Sequence, residues 1–112
     1  MISYQSIAQE CASFYADVPI AAGVPCKMSQ NDSIVKAVKN DAFIGVTVGQ
    51  RDNMVTVAVR GFVTVRYSGD APAVGRTGLC TGDNGTVTAS TSGQVYLVVN
   101  ADTVKKTVTF LL

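Results

Sequence analysis

One segment of the chain alternates apolar and more polar side chains for longer than a typical strand. Residues 54–67 have the sequence MVTVAVRGFVTVRY. Every odd-numbered position from 55 to 65 is a valine except Gly61, and Tyr67 ends the series. Side chains alternate across a strand with period two, so this pattern predicts one apolar face and one wetter face. Gly61 interrupts the series without changing its phase, which predicts a bend in the segment rather than a separate turn.

The wetter face of this segment contains one residue that does not fit it. Phe62 lies between arginines and threonines, and a large apolar side chain there is expected to be covered by another loop or by another subunit. We therefore predict a subunit interface formed by Arg60, Phe62, Thr64 and Arg66.

The rest of the chain also has the composition of short strands separated by turns. Closely spaced strands with turn residues between them predict an all-β fold, either a single small β-sandwich or a partly open β-barrel. Residues 33–39 are ambiguous, because their apolar spacing fits a helical turn whereas their β-branched content favours a strand. The other predicted strands cover residues 10–16, 21–27, 42–48, 79–80, 86–89, 94–100 and 106–112.

The first nine residues are predicted to form an arm that precedes a single β-domain at residues 10–112. Tyr4, Ile7 and Cys11 match helical spacing, but an isolated helix this short is marginal in water. We expect an extended segment that becomes ordered only against a neighbour, with Tyr4 and Ile7 as its anchors.

The charge of the chain is low and balanced. Charged residues make up 15% of the sequence and the net charge is +1, whereas apolar content is 47%. This balance lacks the clustered Lys and Arg of a nucleic-acid-binding surface. Low charge also removes a common defence against pairing between sheet edges, which favours an oligomer or a shell component over the alternative, a monomer with a Thr-rich surface.

Neither a membrane span nor a signal peptide is expected from this sequence. No apolar run approaches the roughly 20 residues of a membrane helix. The N-terminus MISYQSIAQE has neither a basic start nor an apolar stretch. We expect a protein made in a cytoplasm.

The residues that usually carry catalysis are scarce, so we expect no enzyme, no cofactor and no metal site. The sequence contains no histidine, which removes the most common general base and transition-metal ligand. Glu10 is its only glutamate, and the aspartates fall in or beside predicted turns, where they bond the backbone. The glycine-rich loop at 69–75 lacks both the lysine of a P-loop and the spacing of a dinucleotide site. Three cysteines, far apart and odd in number, are expected to be buried free thiols: Cys11, Cys26 and Cys80.

The order of the segments resembles a known family. SFYADVPIAAGVPCKMSQNDSIVKA, DAFIGVTVGQRDNMVTVAVRGFVTVRYSGDAPAVG and YLVVNADTVKKTVTFLL are similar to the opening, middle and end of small head decoration proteins, or capsid cement proteins, of tailed bacteriophages and prophages. The resemblance implies a compact β-domain that binds the outside of an expanded head, often as a homotrimer, and clamps the major capsid protein. It implies residence on the virion exterior, and a contact between the arm and the capsid for which our candidates are Ile2, Tyr4 and Ile7.

Other functions remain open at this stage. The chain could be another virion β-module, such as a head-fibre base or a tail or baseplate component, and neighbouring genes would separate these. A small trimeric β-fold enzyme, such as a nucleotide hydrolase, is a further alternative, but the sequence shows no matching acidic motif.

Overall fold

The computed structural model describes residues 9–112, which fold into ten strands and one 3-10 turn. The predicted all-β fold is confirmed. The 3-10 turn spans Asp83–Gly85. In chain order the strands are β1 Glu10–Tyr15, β2 Pro25–Gln30, β3 Ser33–Lys36, β4 Gly45–Arg51, β5 Met54–Arg60, β6 Phe62–Arg66, β7 Gly75–Thr81, β8 Val87–Ala89, β9 Gln94–Asp102 and β10 Thr107–Leu111.

The strands form two sheets. The first is a closed barrel in the order β1-β3-β2-β4-β5, in which only the contact between β1 and β3 is parallel. The second is a five-stranded antiparallel sheet in the order β6-β10-β9-β7-β8. Its two edge strands meet at one end, where Tyr67 bridges to Val87 and the Ser68 amide donates a hydrogen bond of 2.9 Å to the Val87 carbonyl.

The long alternating segment is divided between the two sheets at Gly61. Gly61 has a φ of +101°, a backbone conformation that side chains other than glycine rarely adopt. The bend predicted at this residue is confirmed. The strand before it, β5, lies in the barrel between β1 and β4, whereas the strand after it, β6, joins the second sheet beside β10.

The apolar parity of this segment is buried in two different cores, except for Val59, which is only partly buried. Val55 and Val57, both fully buried, pack inside the barrel with Ile34 and Cys26. Val63, after the bend, is buried in the second core instead. One predicted face therefore becomes two packing surfaces.

The second core is shared by both sheets. Ala58 and Val46 of the barrel enter it from one side, and the interior of the second sheet supplies the other. Phe43, which precedes β4, stacks on Tyr96 with ring centroids 5.3 Å apart and meets Phe110 edge-on at 6.1 Å. These aromatic contacts hold the barrel against the second sheet.

Several strand boundaries differ from those expected. The ambiguous segment at 33–39 forms a strand, β3. The predicted strand at 21–27 is wrong in position: Gly23 adopts a positive φ in a turn, so β2 begins at Pro25 and continues to Gln30 by pairing with β3. The strand expected at 79–80 begins earlier, at Gly75. Residues 75–78 show no apolar pattern, but they pair with β9, and backbone hydrogen bonds to that strand make them part of β7.

Over residues 9–112, no helix is long and apolar enough to cross a membrane.

A glycine at position 61 is required by the backbone, which gives a test of the bend. We expect Gly61→Ala to lower the free energy of unfolding by about 1–3 kcal/mol, because a Cβ is strained at this φ. Gly49→Ala is the matched control, since within residues 9–112 no atom beyond the two chain neighbours of Gly49 lies within 4 Å of the Cβ it would add. Urea denaturation of both variants measures the difference. Equal stability of the two variants would show that the bend does not depend on glycine.

Two buried threonines differ in their hydrogen bonding, so replacing each by valine should change the stability in opposite directions. The Thr81 hydroxyl is buried and has no hydrogen-bond partner among residues 9–112. The Thr47 hydroxyl, also buried, donates to the Ala21 carbonyl at 2.7 Å and accepts from the Val24 amide at 3.1 Å. We expect Thr81→Val to stabilise by about 1 kcal/mol and Thr47→Val to destabilise by about 1–3 kcal/mol. Thermal and urea unfolding measure both, and loss of stability in Thr81→Val would mean that its hydroxyl is bonded in solution.

Candidate subunit interface

The second sheet turns one face to its core and the other outward. On β6, Val63 and Val65 point into the core, and so Phe62, Thr64 and Arg66 point outward. Three of the four residues predicted as a subunit interface therefore lie on one face of one strand. Two of them, Thr64 and Arg66, are exposed, whereas Phe62 is partly covered.

Arg60 is separated from the other three by the Gly61 bend. It belongs to the end of β5 in the barrel, and its Nε lies 3.8 Å from the carboxylate of Glu10. Both side chains are largely exposed, so this ion pair contributes little to stability. The structure does not place Arg60 on the outward face of the second sheet.

Phe62 begins a row of apolar side chains that crosses three strands. Its cross-strand neighbour on β10 is Leu111, and the neighbour of Leu111 on β9 is Leu97. All three are partly exposed and point outward, because the residues beside them, such as Val98 and Phe110, are buried in the core. We call Phe62, Leu111 and Leu97 the apolar row.

The surroundings of the apolar row are polar and include two exposed arginines, Arg66 on β6 and Arg76, which pairs with Leu97 from β7. On one side the Thr64 and Thr109 hydroxyls are hydrogen-bonded at 2.8 Å, which aligns β6 with β10. On the other side Val95, 55% exposed, extends the apolar surface along β9. An apolar centre with a polar rim is the usual arrangement of a protein–protein contact.

Sequence reasoning found Phe62 but missed Leu97 and Leu111. Both leucines lie in runs of consecutive apolar residues, YLVV and TFLL, next to a residue that fills the core. A strand alternates its faces, so consecutive apolar residues place one side chain outward. That signal was present, but only the strand register brings the two leucines beside Phe62.

Two of the aspartates serve the turns in which they lie. The Asp102 carboxylate accepts hydrogen bonds from the amides of Lys105 and Val104, and these bonds hold the pKa of Asp102 below its usual value. Asp41 accepts a hydrogen bond from the Lys27 ammonium at 2.7 Å and another from the Val38 amide, and the Lys27 contact lowers the pKa of Asp41 most. Their local bonding agrees with the structural role predicted from the sequence.

Metal-binding side chains do not gather in the part of the chain that the structure describes. Within it, no group of three or more Cys, Asp or Glu side chains is arranged to hold a metal ion.

The expectation of three buried thiols is wrong for one cysteine. Cys26 and Cys80 are buried, but Cys11 is exposed. The even-numbered residues of β1, such as Phe14, point into the barrel, so the odd-numbered Cys11 points outward. Burial raises the pKa of Cys26 to about 12, and its thiol lies 3.6 Å from the Gly45 carbonyl.

A scan against models of protein families gave no match, and no curated protein was found with significant similarity to the chain.

The three thiols should differ in reactivity in the folded protein. The thiolate is the reactive form of cysteine, so burial that raises the Cys26 pKa suppresses its reaction. We expect one rapid thiol per chain with a disulfide reagent at pH 8, and three after unfolding. Cys11→Ser should remove the rapid reaction, and a second rapidly modified thiol in the folded wild-type protein would contradict the assignment.

Proposed function

We propose that this chain is a structural protein of a phage or prophage head, a decoration protein that binds the outside of the expanded shell as a homotrimer. The sequence resemblance to capsid cement proteins suggests this role. The observation that supports it best is the apolar row on an outward sheet face, because an exposed apolar patch with a polar rim suits burial in an assembly.

The apolar row is the proposed contact between copies. Leu97 is its central candidate, since it lies on the middle strand of the second sheet, with Leu111 on one side, Val95 along its own strand and the exposed Arg76 of β7 on the other side. Thr64, Thr109 and Arg66 would form part of the polar rim. Residues near the centre of an interface contribute most of its binding energy, whereas rim residues contribute little.

Binding to the shell would gain from the number of copies. A modest contact repeated by linked subunits produces high avidity, because each further contact is intramolecular. The arm candidates Ile2, Tyr4 and Ile7 remain the proposed contact with the major capsid protein, and they lie outside the described residues. An extended arm of this kind can add a strand to an exposed sheet edge of its partner.

Substitution of Leu97 tests the proposed interface and the proposed function together. We expect Leu97→Lys to weaken self-association at least about tenfold, because it places a charge at the centre of an apolar contact. Val104→Lys is the matched control, since Val104 is 92% exposed in the turn between β9 and β10. Sedimentation equilibrium measures the mass, and a urea melt verifies that each variant is folded.

The same variants are then mixed with empty expanded heads and sedimented. We expect the wild type and Val104→Lys to co-sediment with the heads, and Leu97→Lys to do so poorly. The decoration role would be contradicted if the folded wild-type protein never co-sedimented with heads built from the major capsid protein encoded next to its own gene. A wild-type monomer that still decorates the heads would contradict only the trimer.

A further inference from the structure

One end of the barrel carries exposed apolar side chains. Tyr15, the last residue of β1, and Val18, three residues later, are both half-exposed. The Tyr15 amide donates a hydrogen bond of 2.8 Å to the Asp32 carbonyl. The Ala16 amide donates one of 2.9 Å to the Asn53 carbonyl. These bonds bring the turn between β2 and β3 and the turn between β4 and β5 to the end of β1.

Carboxylates surround this apolar pair. Asp17 lies between the pair in sequence, Asp32 and Asp52 lie in the two turns, and all three are exposed. Within residues 9–112, none of the three takes part in an ion pair. Arg51 is exposed beside Asp52 and offsets only part of their charge. We call the apolar pair and its three aspartates the barrel end.

The apolar row of the second sheet has the opposite charge at its rim. Arg66 and Arg76 are exposed beside it, and in the described chain neither takes part in an ion pair. Asp102 lies on the same face, as the cross-strand neighbour of Thr107. Its carboxylate already accepts hydrogen bonds from two turn amides. The rim therefore presents two arginines that need a carboxylate from outside the sheet.

Within one chain the apolar row cannot contact the barrel end. The inner face of the second sheet packs on Ala58 and Val46 of the barrel. The apolar row lies on the other face of this sheet, so it faces away from the barrel of its own chain. A contact between the two surfaces must therefore join two copies.

We propose that the apolar row of one copy packs on the barrel end of the next copy, with Arg66 and Arg76 facing its aspartates. This inference rests on the proposed homotrimer and identifies the second surface of its contact. Contact between two different patches closes into a ring when its rotation allows, and each copy then uses one surface of each kind. Packing of one apolar row on another would instead bring the arginines of two copies together, which costs free energy.

A mixture of two variants with complementary defects tests this contact. Leu97→Lys damages the apolar row and leaves the barrel end intact, whereas Val18→Lys does the reverse. We expect each variant alone to self-associate at least about tenfold more weakly than the wild type. Their equimolar mixture should associate about tenfold more tightly than either alone, because each variant supplies the surface that the other lacks.

Sedimentation equilibrium measures the masses, and a urea melt verifies that each variant is folded. Val38→Lys is the matched control for Val18→Lys, since Val38 is 60% exposed and Val18 is 55% exposed. The control should self-associate as the wild type does. A mixture no tighter than the separate variants would overturn the proposal.

Arg76→Glu tests the charge pairing by the sign of its effect. We expect weaker self-association, because a carboxylate there would face the aspartates of the next copy, and we expect added salt to reduce the loss. If two apolar rows packed on each other, the same substitution would relieve repulsion between arginines. Tighter self-association of Arg76→Glu would therefore overturn the proposal.

The same variants separate this proposal from the proposed function. If Leu97→Lys weakens self-association and Val18→Lys does not, the apolar row contacts another surface and the proposal is wrong, while the homotrimer stands. A wild-type monomer would overturn the homotrimer and this contact with it. Co-sedimentation with heads tests the decoration role in either case.

Discussion

The left-handed backbone at Gly61 is the constraint on which the arrangement of both sheets depends. One continuous segment must leave a closed barrel and enter a second sheet, and it does so within a single residue at a φ of +101°. Before the bend β5 has a partner on each side, β1 and β4. After it β6 pairs with β10 in the second sheet. The bend therefore joins the two halves of the fold.

The sequence predicted most of the buried residues of this segment, but not which core they enter, and it missed Ala58, which belongs to the wetter parity and is buried. Alternation with period two reports that Val57 and Val63 avoid water, and both are buried. It cannot report which neighbours cover them, because that depends on the bend and on strands distant in sequence. The missed part of β7 has the same cause: Gly75 and Gly78 give no apolar signal, and pairing with β9 alone makes them part of a strand.

From the sequence, one residue of the candidate interface could be predicted, but the surface to which it belongs could not. Phe62 contradicted its own face, and that contradiction located the strand on which the apolar row begins. Its neighbours Leu111 and Leu97 depend on a register shift between Thr109 and Phe110, which brings Leu111 opposite Leu97. Local composition does not encode a bulge of this kind, and so the apolar row emerges only from the paired strands.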